Sequence, residues 1–136
     1  MGPDRVRAPG VQAPARAIAV ARAVAFVPDL LFGSNVLGAL QAGGHEAVLV
    51  NAPEDVESAL AGADVLIVDL THEAETRIEL AAPALGDGPP RTLAFFSHVE
   101  GEVRTAAQQA GFDLVVPRSR MARAASALVD ELVSSA

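Results

Sequence analysis

Seven polar side chains in this sequence are of types that could assemble a chemical site: Asp29, Asp69, Thr71, His72, Ser97, His98 and Arg118. Two carboxylates, Asp29 and Asp69, can hold a hard divalent cation through oxygen. His72 and His98 with one of these acids would supply the two-His-one-carboxylate set of a transition-metal centre, the basis for a small metal-binding enzyme. Asp69, Ser97 and His98 contain the side-chain types of a nucleophilic triad. However, adjacent residues of an extended chain project to opposite sides, and no Gly-x-Ser-x-Gly elbow is present. Each feature also has a simpler reading: exposed loop histidines, a turn aspartate at position 29, a helix-capping serine at position 97. Arg118, Arg120 and Arg123 lie together at a helix start, where positive charge opposes the helix dipole. They form either an anion-binding patch or a solvated face salt-bridged to Asp113 or Glu100.

These residues become a group only if the chain brings them to one edge. The stretch Asp64-Val65-Leu66-Ile67-Val68-Asp69-Leu70-Thr71-His72 is the one that decides this. A continuous apolar run between polar residues reads as a strand buried on both faces, as in the middle of a parallel sheet. Asp69, Thr71 and His72 then emerge at its carboxyl end, where open α/β sheets bind ligands. Four further apolar runs read as strands: 23–27 stopped by Pro28-Asp29, 46–50, 92–97 before His98, and 114–116 stopped by Pro117. Helices alternate with them. The first is capped by Ser34 or Asn35 and ends at Gly43-Gly44, and the second starts at Pro53 among Glu54, Asp55 and Glu57. Others span about 73–82, 100–110 and 119–134. Five strands alternating with five helices predict a doubly wound, flavodoxin-like three-layer sandwich with a parallel sheet of order 2-1-3-4-5. In that order Asp29, Asp69 and Ser97 should converge.

Composition narrows the function. Apolar residues at 51% and charged residues at 20% are those of a globular chain. A net charge of −7 argues against general nucleic-acid binding. All basic residues are arginine, so lysine Schiff-base chemistry is excluded, and the absence of cysteine excludes disulfides and thiolate metal sites. No apolar run reaches the roughly 20 residues that span a bilayer, and the first segment lacks a signal-peptide core, so a cytoplasmic location is expected. Residues 1–21 hold Pro3, Pro9 and Pro14 and read as a disordered or partly ordered arm, with one domain over 22–136. The glycines near the first strand spell neither a dinucleotide fingerprint nor a P-loop.

The element order, the run Ala63-Asp64-Val65-Leu66-Ile67-Val68-Asp69-Leu70, the pair Phe96-Ser97 and the triplet Ala110-Gly111-Phe112 resemble the receiver domains of bacterial two-component response regulators. The resemblance covers about residues 23–133. It implies that Asp69 matches the phosphoacceptor, that Asp29 alone matches an acidic pair holding Mg²⁺, and that Ser97 matches the hydroxyl residue ending the fourth strand. Where the family has a lysine before a proline, this chain has Val116-Pro117, and Arg118 is the nearest cation. The whole is similar to an atypical, or pseudo-, receiver. The expectation is a stand-alone signalling module, more a binding protein than an enzyme. It would engage a partner protein (a kinase or effector) or a small anionic ligand at the strand ends, and could associate as a homodimer through its last helix. An ordinary phosphoacceptor receiver using Asp69 and Mg²⁺ is the alternative.

Overall fold

The computed structural model describes residues 20–97 and 101–134. Its strands are β1 (Arg22–Phe26), β2 (Glu46–Val50), β3 (Val65–Asp69), β4 (Arg91–Phe96) and β5 (Leu114–Pro117). Its helices are α1 (Leu30–Ala42), α2 (Val56–Ala59), α3 (Ala74–Ala81), α4 (Gly101–Ala110) and α5 (Arg118–Ser134). All strands run parallel in the order β2-β1-β3-β4-β5, the expected flavodoxin-like topology.

The central strand explains the layering. Every residue of β3 is buried, and its side chains alternate between two separate apolar clusters. Val65 and Ile67 join α1 and α5 residues such as Val36, Leu40, Leu128 and Val129. Leu66 and Val68 join Val56, Ala107 and Phe112 on the side of α2, α3 and α4. A strand sandwiched this way must be apolar throughout. Each fully buried Leu or Ile contributes about 1.5–3 kcal/mol relative to an exposed one.

Element ends shift by a residue or more in several places, and two of the differences have a clear physical cause. Helix α1 begins at Leu30, four residues before the expected cap at Ser34 or Asn35, because Asp29 is the cap: its Oδ1 accepts from the Phe32 N–H at 3.1 Å. Ala21, placed with the arm on sequence, is buried, and its N–H donates to His45 Nδ1 at 3.0 Å. The rest of the expected arm, residues 1–19, lies outside the described residues.

Aspartates at the starts of the strands tie that pole together. Asp64 Oδ2 accepts from the Arg22 N–H at 2.9 Å. Asp113 Oδ2 accepts from the Thr92 N–H at 2.8 Å and the Thr92 hydroxyl at 3.1 Å, while Thr92 Oγ1 accepts from the Asp113 N–H at 3.0 Å. The arginine beside Asp113 is Arg91, at 3.5 Å, and not one from α5.

Gly43 closes α1 against α5. A Cβ there would lie 1.9 Å from Ser126 Oγ and 2.8 Å from Ser126 Cβ. Gly43→Val should therefore lower the unfolding free energy by about 2 kcal/mol, the ordinary cost of overpacking. Urea denaturation should show a smaller loss when the same change is made on a Ser126→Gly background.

Candidate functional site

Asp69 ends β3, and its side chain is only 4% exposed. Burial of an ionised carboxylate requires partners, and the following loop provides them. Asp69 Oδ1 accepts from the Thr71 N–H at 2.8 Å and from the Thr71 hydroxyl at 2.5 Å, a side-chain turn of the kind aspartate makes with the residue two ahead. Thr71 is thus a hydrogen-bond partner of the acid.

The second partner comes from α3. The Arg77 side chain, 12% exposed, lies along the strand end with Nη1 3.0 Å from the Asp69 carbonyl oxygen and 3.7 Å from Asp69 Oδ2. Its guanidinium carbon lies 5.5 Å from the centroid of the Phe26 ring on β1. The chain reaches this arrangement through Glu73, which precedes α3 in the left-handed conformation (φ 51°), a backbone state uncommon for a residue with a side chain. Arg77 then follows in the helix, its N–H donating to the Glu73 carbonyl at 3.0 Å.

Asp29 has a different arginine. Besides capping α1, its Oδ2 lies 3.7 Å from Arg118 Nη2, and the Arg118 guanidinium carbon sits 4.1 Å above the Phe32 ring. Both ion-pair side chains are about half exposed, at 48% and 50%, so this contact is weak and screened. Among the described residues no hydrogen bond or ion pair joins Asp29 to Asp69 or to Ser97. His72 is exposed in the loop before α3, and Ser97 is half-buried at the end of β4. His98 lies outside the described residues, and with it the two-histidine centre.

The acids do not fit a magnesium site as arranged. A Mg²⁺ ion needs carboxylate oxygens open to it in near-octahedral geometry, whereas Asp69 and Asp29 face N–H and guanidinium donors. No group of three or more His, Cys, Asp or Glu that could hold a metal occurs among the described residues. A cleft of about 440 Å³ opens beside Arg77, bounded by Phe26, Pro28, Asn51 and Pro53, at the ends of β1 and β2. A larger hollow, about 610 Å³, lies at the opposite pole among Asp64, Asp87, Arg91 and Asp113. It gathers none of the strand-end residues, so we assign it no part in their chemistry.

Sequence reasoning did not single out Arg77. One signal was present: Arg77 is the only arginine between Arg22 and Arg91, and it lies in the first turn of the helix that follows the central strand.

No family model matches the chain, and no curated protein is significantly similar in sequence. Solved structures do match. A response regulator from Thermotoga maritima superposes with a TM-score of 0.72 at 13% identity, covering 85% of this chain and 99% of that one. The orphan response regulator HP1043 of H. pylori superposes at 0.63 with 16% identity, over 84% and 94% of the two chains. A third is described as an atypical orphan response regulator with a phosphorylation-independent regulatory mechanism. It matches at 0.66 and 16% identity, over 83% and 95%. The chain therefore shares the fold of these receiver structures. No helix among the described residues is long and apolar enough to cross a membrane.

Proposed function

We propose that the chain is a receiver-like signalling module that acts by binding rather than by phosphoryl transfer. It would take a partner protein or a small anionic ligand at the carboxyl ends of its strands. The observation that supports this is the engagement of Asp69: the acid at the acceptor position already faces Arg77 and the two Thr71 donors. A phosphoryl group arriving there needs an open carboxylate oxygen and a metal beside it. Arg77 stands at one oxygen and Thr71 at the other. Arg118, exposed and steadied over Phe32, is the cation available to an anionic ligand or an acidic partner surface. A cytoplasmic location and a separate kinase or effector protein accompany this reading.

A phosphoacceptor receiver is the second reading, favoured by the location of Asp69 at the end of β3. A metal enzyme using Asp29, Asp69, His72 and His98 is the third, and metal analysis of protein purified without chelator addresses it. Incubation with acetyl phosphate and Mg²⁺, followed by intact-mass measurement, separates the first two. Wild type is expected to gain no more mass than Asp69→Asn. A phosphoryl adduct present in wild type and missing from Asp69→Asn would restore the phosphoacceptor reading.

A further inference from the structure

Arg77 is more heavily buried than it is bonded. A guanidinium carries five N–H donors in a planar fork, and this side chain is only 12% exposed. Among the described residues it donates one side-chain hydrogen bond, from Nη1 to the Asp69 carbonyl at 3.0 Å. The approach of Nη1 to Asp69 Oδ2, at 3.7 Å, is electrostatic and too long to be a second. Nε and Nη2 have no acceptor among those residues. Buried donors ordinarily find a partner in the protein, in water or in a ligand. The space available is the cleft of about 440 Å³ at the ends of β1 and β2, which Arg77 helps to line. Its remaining walls are of two kinds. Pro28, Pro53 and Leu80 are apolar and partly open to solvent, whereas Glu73 and Glu79 are charged and exposed. Neither glutamate carboxylate has a hydrogen-bond or ion-pair partner among the described residues.

A simple anion does not suit such a cleft. The charge of Arg77 is already offset by Asp69, and two further carboxylates repel a second negative group. A simple cation would leave the guanidinium N–H groups unmatched. A zwitterion meets both conditions, and the apolar walls accommodate a hydrocarbon body. We propose that this cleft binds an apolar α-amino acid. The ligand carboxylate accepts from Nε and Nη2 of Arg77, the paired geometry that guanidinium and carboxylate favour. The ligand ammonium is received by Glu73 and Glu79, and its side chain lies against Pro28, Pro53 and Leu80. The volume falls in the range of about 300–1,000 Å³ usual for small-molecule pockets. The inference rests on the binding reading above and narrows it, from an anion in general to a zwitterion held by the donors of Arg77 that Asp69 does not use.

Calorimetric titration of the full chain with leucine, valine, methionine and phenylalanine tests it. Melting temperature is the second readout, because a ligand that binds only the folded state raises it. At least one of these amino acids is expected to bind. Its deaminated acid and its decarboxylated amine should each bind about tenfold more weakly or worse, since each loses one charged contact. Asn51→Trp, at an exposed position in the cleft wall, should abolish binding while the ligand-free protein melts as wild type does. Arg77→Lys keeps a charge beside Asp69 but loses the planar fork, and should weaken binding by about tenfold. Failure of all these amino acids to bind at millimolar concentration would overturn the proposal. So would binding indifferent to either substitution, or a deaminated acid that binds as tightly as its parent. Each of those results leaves the broader binding reading standing, whereas a phosphoryl adduct on Asp69 is what overturns that one.

Discussion

Arg77→Ala is expected to lower the unfolding free energy by about 3–5 kcal/mol, the range for removing one member of a buried ion pair. The side chains of Asp69 and Arg77 are 4% and 12% exposed, so water cannot readily replace the guanidinium. The truncation leaves a carboxylate supported by Thr71 alone, and it strips the Asp69 carbonyl of the donor 3.0 Å away. Asp69→Asn should cost less, because an amide oxygen still accepts from Thr71 and the missing charge removes the need for a counter-ion. The double substitution should then be less damaging than the sum of the two singles, with a coupling of about 1–3 kcal/mol. Urea denaturation of the four proteins measures this directly. Strict additivity would mean that the two groups do not stabilise one another.

His45→Ala should be the next most damaging polar substitution, at about 2–4 kcal/mol. The imidazole is fully buried, with Nε2 2.8 Å from Asp130 Oδ1 on α5 and Nδ1 accepting from the Ala21 N–H. A backbone N–H can only donate, so Nδ1 must be the acceptor and Nε2 carries the hydrogen toward the carboxylate. Alanine removes both bonds and leaves a void. His45→Asn is expected to recover part of the loss, because its amide oxygen can stand near the Nδ1 position. Hydrogen exchange gives the local reading: the Ala21 amide should exchange much faster in the alanine variant, while amides in β3 change only by the global loss of stability.

The strands were legible because a strand buried on both faces announces itself as an apolar run with sharp polar ends, as 65–69 does. Their order followed from the handedness and length of the crossovers. The start of α1 was not legible. Leu30 and Leu31 point outward, so they break the inward periodicity by which a helix is recognised, and Ser34 becomes the first plausible cap. Asp69 could be placed because a strand end is a local property. Its counter-ion could not. Whether an arginine on the next helix turns back to the sheet or out to solvent depends on several rotatable bonds and on the pitch set by Glu73, and spacing says nothing about either. His45 escaped notice similarly, since both of its partners, Ala21 and Asp130, are distant in the chain.

The guanidinium at the end of β3 differs from a bound ion in having no bulk concentration. It is delivered by eight residues of chain, so its local abundance is fixed by covalent geometry. Being buried, the pair is also little affected by ionic strength. Chelators and changes in salt therefore leave the Asp69–Arg77 pair itself in place. Here the counter-charge comes with the polypeptide, and it is withdrawn by a rotation of the Arg77 side chain or a movement of α3.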